Sequence, residues 1–282
     1  MSKKRSNVAE AAPFDSGLPA IMFAGEAAFV KGCSPSERLH VEYREAHAAH
    51  AGGTRSQFAI GSDGFARVSR SRDRRTRGYR VVKRGFDIAF SMVFVALCVI
   101  LLPITVLVLA ITAISSKAFP VYSQERIGQY GRSFSIYKLR TMVSDADNVE
   151  KYLDAEQMAQ WKSERKVDGD PRITRWGAVM RRMSLDELPQ FINVLKGDMS
   201  VIGPRPITRE ELSWFGDDAS LLLSCPCGIT GEWQVGVRTD ASFESGERQK
   251  LELSYCACPS IGRDVRIFFK TFSVMFYKPS GR

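Results

Sequence analysis

The segment RRMSLDELPQFINVLKGDMSVIGPRP, residues 181–206, places two adjacent carboxylates, Asp186 and Glu187, between cationic side chains. Arg181 precedes the pair, and Arg205 follows it between two prolines that favour an extended, stiff segment. Guanidinium groups bind phosphate oxygens through paired hydrogen bonds, and a carboxylate pair can hold a divalent metal. A carboxylate can also attack phosphorus and form an acyl phosphate. The combination favours phosphoryl transfer, although structural salt-bridge networks have the same composition.

Pro189 predicts where this acidic pair lies on its helix. Proline is best tolerated in the first helical turn, so we expect a helix that starts near Leu185 or Asp186. The pair would then lie at the positive helix end, among unpaired amides. Ser184-x-x-Glu187 also matches a capping box, which is a purely structural explanation. Capping accounts for the acidic pair but leaves the surrounding arginines unexplained.

Further cationic residues come from the segment VYSQERIGQYGRSFSIYKLRTM, which alternates well enough to predict a β-hairpin turning near 128–131. Arg126 lies in its first strand, and Lys138 and Arg140 lie in its second. Downstream, residues 145–165 are expected to form a polar helix and residues 176–182 another. The chain from residue 120 onwards therefore reads as a mixed α+β domain that is mostly helical.

Composition narrows the possible chemistry. The 282 residues carry a formal charge of +9, which indicates acidic partners such as phosphates or anionic lipid. The three histidines all lie within the first fifty residues, which argues against a Ser-His-Asp or Cys-His site in the main domain. Two cysteine pairs, Cys225-x-Cys227 and Cys256-x-Cys258, have one intervening residue where zinc sites usually have two. We favour apolar packing for them, in a reducing, cytosol-facing setting.

The segment Ile88–Ser116 contains no charged residue over 29 positions, which is long enough for a membrane helix of about 20 apolar residues. Eight Lys/Arg lie in residues 70–84 and three in residues 115–132, which favours a cytosolic N-terminal flank. Pro103 lies at the middle of the segment and predicts a break. A kinked spanning helix and a re-entrant helix both satisfy these features. The C-terminal segment GRDVRIFFKTFSVMFYK, likewise, suits either an interfacial amphipathic helix or a core-packing one.

Four motifs resemble the bacterial sugar transferase family, the monotopic polyprenyl-phosphate glycosyl-1-phosphate transferases. They are VKRGFDIAFS, QERIGQYGRSFSIYKLRTM, DPRITRWGAVMRRMSLDELPQFINVLKGDMSVIGPRP and GITGEWQV, in family order from about Val82 onwards. The chain departs from the family pattern at CPCGITG, where a proline is usual before Gly-Ile-Thr-Gly, and at Glu252, where an aspartate is usual.

The resemblance implies that a sugar-1-phosphate passes from a UDP-sugar to undecaprenyl phosphate, with release of UMP, to prime exopolysaccharide assembly. It implies Asp186 as the nucleophile that forms a phospho-aspartyl intermediate and Glu187 as its helper, both around Mg²⁺. The cationic positions matched to the family motifs are implied to bind phosphate: Arg126, Lys138, Arg140, Arg175, Arg181 and Arg205. It also implies a re-entrant membrane helix broken at Pro103 and a catalytic domain on the cytoplasmic face of the inner membrane.

We therefore expect a basic arm over residues 1–79, a re-entrant membrane segment over 80–119 and a cytosolic catalytic domain over 120–282. UDP-sugar, undecaprenyl phosphate and membrane lipid are the expected partners, and no nucleic acid is expected. Two other interpretations stay open. One is a nucleotide-sugar glycosyltransferase that uses Asp145-Ala-Asp147 as a metal-binding DxD motif. The other is a non-enzymatic membrane scaffold. The hexose, the role of the arm and the oligomeric state have no signal in the sequence.

Overall fold

The computed structural model describes residues 59–164, 167–236 and 246–277. The first 58 residues of the expected arm lie outside this range, so the division into three regions stays a prediction. The last part of the arm contains a helix, α1 (Asp63–Ser71), whose N-cap Ser62 accepts a hydrogen bond from the Phe65 amide. Buried Ser69 donates to the carbonyl of Ser220 at 2.7 Å. The chain before the motif-bearing region is thus packed on the region that contains the motifs.

The expected α+β class, mostly helical, is confirmed. The remaining helices are α2 (Arg77–Ile100), α3 (Leu102–Ser116), α4 (Ala155–Glu164), α5 (Arg175–Arg182), α6 (Gln190–Lys196), α7 (Arg209–Leu212), α8 (Ala219–Leu222), α9 (Glu232–Gly236), α10 (Glu247–Ala257) and α11 (Ile261–Tyr277). The strands are β1 (Val121–Ile127), β2 (Ser133–Leu139), β3 (Ser200–Ile202) and β4 (Gly228–Thr230). Short 3₁₀ turns cover Gln129–Gly131, Val149–Lys151, Leu185–Glu187 and Ser213–Asp218.

Strands β1 and β2 form the predicted antiparallel hairpin, and its turn lies at residues 128–132 as expected. Tyr122 pairs with Lys138, and Arg126 pairs with Phe134. Strands β3 and β4 form a separate two-stranded parallel sheet. The hydrophobic core lies between this sheet, the hairpin and helices α6, α7, α8, α10 and α11, with Ile127, Ile136, Val194, Ile202 and Ile267 among its most buried members.

Helices α2 and α3 form a bent apolar pair, with an angle of 85° between them. The break falls at Leu101, and Pro103 lies in the first turn of α3, where its missing amide donor costs no helical hydrogen bond. In the described part of the chain, no single helix is long and apolar enough to cross a membrane, whereas this bent pair passes the same test together. Apolar side chains on both helices are exposed, including Val93, Ile100 and Ile114.

The base of α2 is fastened to α6 and α11 by charged side chains. The Lys83 ammonium, 5% exposed, donates to Asp264 Oδ2 on α11 at 3.2 Å. Arg84 donates to the carbonyls of Val194 and Leu195, at 2.6 and 2.9 Å. These carbonyls end α6, where helices favour cations. Lys83 and Arg84 are two of the eight cations counted before the apolar segment. In the structure they hold the bent α2–α3 pair against the core.

The predicted polar helix over residues 145–165 is wrong in its first half. Asp145 accepts hydrogen bonds from Lys151 and from the Tyr152 hydroxyl, which stabilise a turn. The helix then begins after Asp154, whose carboxylate caps the Gln157 amide at 2.8 Å. Asp145 is bonded by two other side chains and holds residues 145–152 in a turn, so the helix begins ten residues later than predicted.

The C-terminal helix α11 combines both expected arrangements. Its Asp264 and Ile267 are buried against the core, whereas Val265, Phe269 and Phe272 are exposed. The exposed aromatic residues lie close to the base of α2, since Phe268 packs edge-on against Phe86 and Phe90. An apolar surface therefore continues from the hairpin on to α11.

Candidate active site

The acidic pair lies in the 3₁₀ turn Leu185–Glu187, between α5 and α6. Ser184 has a left-handed backbone conformation, with φ of 55°, and its side chain makes no capping hydrogen bond. The capping-box explanation is therefore wrong for this turn, and a true capping box occurs instead at Thr208 and Glu211. Pro189 is the N-cap residue of α6, so the pair precedes that helix instead of lying inside its first turn.

Asp186 lies in an environment that disfavours its negative charge. Burial is the largest effect and raises the pKa of its carboxyl, and the neighbouring Glu187 raises it further. Lys138 and Arg181 act in the opposite direction. Lys138 Nζ, on β2, lies 3.2 Å from Glu187 Oε1. Two carboxylates and two cations from three segments of the chain thus form one cluster.

Arg181 is placed by the contact of α5 with the end of β2. Its Nε donates to the Thr141 hydroxyl at 2.9 Å. A Cβ on Gly177 would overlap the Thr141 carbonyl, so only glycine allows the helix to approach this closely. Burial lowers the pKa of Arg181, and attraction to Asp186 and Asp170 partly offsets this effect. The guanidinium is therefore held near the acidic pair by packing and by charge.

Asp170, which matched a family motif, supports this cluster indirectly. Its carboxylate accepts two hydrogen bonds from the Arg172 guanidinium, with the shorter at 2.6 Å, and both side chains are buried. Arg172 also donates to the carbonyl of Ala146 at 3.1 Å. This ion pair orders the loop that leads into α5.

Arg126 and Arg205 belong to a different cluster. Arg126 Nη1 donates to Glu211 Oε2 at 3.0 Å, and the Arg205 guanidinium lies 5.6 Å from the centre of the Trp233 ring. Arg248, on α10, stacks on the same ring at 4.3 Å. Burial lowers the pKa of Arg126, and the nearby Arg205 lowers it further. Lys138 and Arg181 lie beside the acidic pair, whereas Arg126, Arg205 and Arg248 form a separate cluster.

Glu252 lies beneath this arginine cluster and is 2% exposed. Its Oε2 accepts a hydrogen bond from the Arg205 backbone amide at 3.1 Å. Burial raises its pKa to about 7, and Arg248 is the largest opposing effect. Sequence reasoning noted Glu252 as a departure from the family pattern but missed its link to Arg205. It also missed Arg248 and Trp233, and the motif GITGEWQV was the available signal for the tryptophan.

The remaining predicted cations lie elsewhere. Arg140 donates to the Phe119 carbonyl at 3.1 Å and lies 5.1 Å from the centre of the Tyr122 ring. Arg175 is exposed on the first turn of α5. Across the described ranges, no hydrogen bond or ion pair joins either residue to the acidic pair. The structure thus leaves their expected phosphate contacts without geometric support.

The alternative metal sites receive no support either. Cys225, Cys227 and Cys256 are buried members of the hydrophobic core. Asp145 of the DxD sequence forms an ion pair with Lys151 on an exposed turn. Within residues 59–164, 167–236 and 246–277, no cluster of three or more His, Cys, Asp or Glu side chains could hold a metal.

The site as a whole is a partly buried acidic pair beside two cations, at the foot of an exposed apolar hairpin. Helix α3 contacts α5 directly, where the Trp176 indole donates to the Thr112 hydroxyl at 3.0 Å. The site combines two carboxylates and two cations next to the exposed apolar surface of α2 and α3. These are the features expected of a protein that acts on phosphate groups at a membrane.

Comparison with known proteins names the family. The chain belongs to the bacterial sugar transferase family, whose model matches residues 78–278. This match covers the bent helix pair, the hairpin, both charged clusters and α11. The helix α1 and the expected arm lie outside it.

Individual relatives are similar over the same region. The exopolysaccharide production protein ExoY of Rhizobium meliloti is 37% identical over 194 residues, which is 68% of this chain and 84% of ExoY. The undecaprenyl-phosphate galactose phosphotransferase of Salmonella typhimurium is 38% identical, over 71% of this chain and 41% of that protein. The UDP-galactose-lipid carrier transferase of Erwinia amylovora is 38% identical, over 70% of this chain and 40% of its own length. The chain thus matches most of ExoY but about two fifths of the two larger relatives.

Proposed function

We propose that this protein transfers a sugar-1-phosphate from a UDP-sugar to undecaprenyl phosphate, releases UMP and primes exopolysaccharide assembly. Family membership and relatives named for lipid-carrier and galactose phosphotransferase activity support this function. The observation that carries the proposal is the partly buried Asp186, paired with Glu187 and flanked by Lys138 and Arg181. Such a site provides a nucleophile and the cations that neutralise phosphate charge.

The proposed reaction has two displacements at the same phosphorus. A carboxylate oxygen of Asp186 attacks the phosphorus that bears the sugar, and the bond from this phosphorus to the UMP oxygen breaks. An oxygen of undecaprenyl phosphate then attacks the phospho-aspartyl group, and the bond to Asp186 breaks. The product is a lipid-linked diphosphate sugar, and the Asp186 carboxylate is regenerated. Both nucleophiles react as anions, so neither displacement requires a general base.

The neighbouring side chains assist in different ways. Lys138 and Arg181 lower the energy of an ionised Asp186, which must be ionised to attack, and would neutralise charge on the phosphoryl oxygens. Glu187 raises the pKa of Asp186 and therefore opposes its ionisation. Its proposed assistance is thus not stabilisation of the ionised nucleophile.

The residues present fit Mg²⁺. Asp186 and Glu187 would hold it, because Mg²⁺ prefers one or two carboxylates together with substrate phosphates and water. After burial, repulsion by Glu187 is the second cause that raises the pKa of Asp186, and a divalent cation between the two carboxylates would relieve this repulsion. When bound, the ion would neutralise charge on the diphosphate of the sugar nucleotide.

We further propose that α2 and α3 form a re-entrant membrane hairpin with the catalytic domain on the cytoplasmic side. The apolar parts of the two helices, 88–100 and 102–116, are each about 20 Å long. With the observed bend of 85°, a symmetric hairpin would reach a depth of about 14 Å, roughly half of a hydrocarbon core of about 30 Å. Lys83 and Arg84 hold the base of α2 to the core, and the Trp176 indole donates to Thr112 near the end of α3.

The test is turnover of the purified protein, in detergent or nanodiscs, with a panel of UDP-sugars and undecaprenyl phosphate. We expect release of UMP with at least one sugar and a phosphosugar adduct on Asp186 when the lipid acceptor is left out. Asp186→Asn should stay folded and membrane-bound but lose turnover and adduct. Asp145→Asn is the matched control, because Asp145 lies on an exposed turn, and it should retain both.

Three outcomes would contradict the proposal. Release of UDP would indicate glycosyl transfer. Normal turnover by Asp186→Asn would remove the assigned nucleophile. Normal turnover without any adduct at position 186 in the wild-type protein would exclude the two-displacement reaction.

A further inference from the structure

The arginine cluster (Arg126, Arg205 and Arg248) is built from three segments that are far apart in the sequence. Arg126 lies on β1, Arg205 follows β3, and Arg248 lies on α10. Like charges repel, so gathering three guanidiniums costs free energy unless anions compensate. The pKa of Arg248 is lowered to about 9, mainly by burial and then by Arg205. The fold thus gathers three guanidiniums around two carboxylates, Glu211 and Glu252, which offset part of the positive charge.

The hairpin places this cluster at a distance from the acidic pair. Tyr122–Lys138 and Arg126–Phe134 are cross-strand pairs on the same hairpin face, four residues apart. At about 3.3 Å per residue, their backbones are separated by about 13 Å. Lys138 contacts Glu187, whereas Arg126 contacts Glu211. The proposed reaction involves more than one phosphate group. One face of the β1–β2 hairpin carries two separate cations, Lys138 and Arg126, that could bind them.

Buried polar atoms in the arginine cluster lack partners. Within the described residues, Arg126 Nε, Trp233 Nε1 and Glu252 Oε1 are buried and have no hydrogen-bond partner. A buried polar atom without a partner destabilises the protein, because the water it lost on burial is not replaced. Glu252 itself is 2% exposed and is held to the Arg205 amide through its other carboxylate oxygen. Two donors and one acceptor in one buried cluster indicate a place built for a polar ligand.

Glu252 is surrounded by groups of both signs. Arg205 and Arg248 are the nearby cations, and Glu232 on α9 is a nearby anion that raises its pKa. Arg126 and Glu211 interact electrostatically with both of these arginines. The thiols of Cys227 and Cys256 also face it, and burial raises both thiol pKa values, so these groups are neutral.

We propose that Arg126, Arg205 and Arg248 form a second anion subsite for a phosphate ester, in which Glu252 is the resident counter-charge and takes up a proton when the anion binds. This inference rests on the proposed function, which supplies two candidate phosphate esters: the uridine nucleotide and the lipid phosphate. An arriving phosphate neutralises the arginines and adds negative potential beside Glu252. The carboxylate then gains a proton from solvent, and the Arg205 amide keeps its acceptor.

The experiment is isothermal titration of the full-length protein in nanodiscs at pH 7, with UMP and with a short-chain polyprenyl phosphate in separate arms. Each titration is repeated in two buffers that differ in ionisation enthalpy, which yields the number of protons taken up on binding. Because the pKa of Glu252 is about 7, the ligand that occupies the subsite should take up about half a proton more in wild type than in Glu252→Gln. The ligand that shows this difference identifies the source of the phosphate.

Arg248→Gln should weaken binding of the same ligand at least tenfold. Arg209→Gln is the matched control, since Arg209 is an exposed arginine on the neighbouring α7, and it should bind like wild type. Glu252→Asp, which keeps the charge, should restore part of the proton uptake even if Glu252→Gln is unstable.

Equal proton uptake by wild type and Glu252→Gln with both ligands would overturn the proposal. Unchanged affinity of Arg248→Gln for both ligands would also overturn it. UMP release and the adduct on Asp186 are measured separately, so failure of this subsite is distinguishable from failure of the proposed function.

Discussion

Asp264→Asn tests whether a buried carboxylate fastens the bent α2–α3 helix pair to the rest of the protein. Asp264 accepts hydrogen bonds from the hydroxyls of Tyr79 and Tyr255, both at 2.7 Å, and from Lys83 at 3.2 Å. Tyr79 and Lys83 lie on α2, whereas Tyr255 lies on α10. One charged side chain thus connects α2, α10 and α11.

The expected cost follows from the burial of this ion pair. Removing one partner of a buried pair costs about 3–5 kcal/mol, because the other charge stays buried without compensation. Lys83→Met should cost less, about 1–3 kcal/mol, because Asp264 keeps both hydroxyl donors. In a domain of this size 1 kcal/mol changes Tm by about 2–4 °C, so Asp264→Asn should lower Tm by about 6–20 °C.

The assay is thermal unfolding in nanodiscs, with limited proteolysis as a second measurement. Lys270→Met is the matched control, because Lys270 is an exposed cation on the same helix, and it should change Tm by less than about 2 °C. The double variant Lys83→Met with Asp264→Asn should be more stable than the sum of the two single effects predicts. If Asp264→Asn costs less than Lys83→Met, the carboxylate is not the central anchor and the reasoning fails.

Three further predictions concern the active site, the arginine cluster and the topology. Glu187 raises the pKa of Asp186, so Glu187→Gln should move the acid limb of the kcat/KM profile to lower pH, measured through UMP release. The pKa of Glu252 rises from 4.5 to about 7 on folding, so its protonated form stabilises the protein below pH 4.5 and this stability is lost as pH rises through 7. Glu252→Gln should therefore gain about 3 kcal/mol relative to wild type between pH 5 and pH 8, measured by denaturant unfolding. Cysteines introduced at the exposed positions Arg67 and Glu210 should both resist an impermeant thiol reagent applied to intact cells.

Each of these has a direct control. The acid limb should stay in place in Glu150→Gln, a carboxylate variant on the 3₁₀ turn Val149–Lys151. Glu210→Gln, an exposed variant, should show no pH-dependent gain in stability. Cysteine labelling is done in a background without the native cysteines, and labelling at either position on intact cells would exclude the re-entrant arrangement.

Local sequence signals predicted several elements correctly. Strand alternation and glycines located the β1–β2 hairpin, and apolar length with a central proline located the bent helix pair. In both cases the signal is a property of neighbouring residues, such as side-chain period or a missing amide donor. The same type of reasoning failed at residues 145–154, where Asp145 accepts hydrogen bonds from the Lys151 and Tyr152 side chains in a turn and the helix starts only after Asp154.

The sequence by itself identified the acidic pair, the apolar segment that precedes it and the set of Lys and Arg residues that could bind phosphate. It could not determine which cations reach the pair, because hydrophobic packing of the hairpin, α5 and α10 decides this. Lys138 and Arg181 are brought to Asp186 and Glu187, whereas Arg126 and Arg205 are drawn to Glu211, Trp233 and Glu252. Charge alone cannot sort like cations between two sites, since every arginine is attracted to every carboxylate. Tertiary structure makes this choice because the position of each backbone segment decides which carboxylates its side chains can reach.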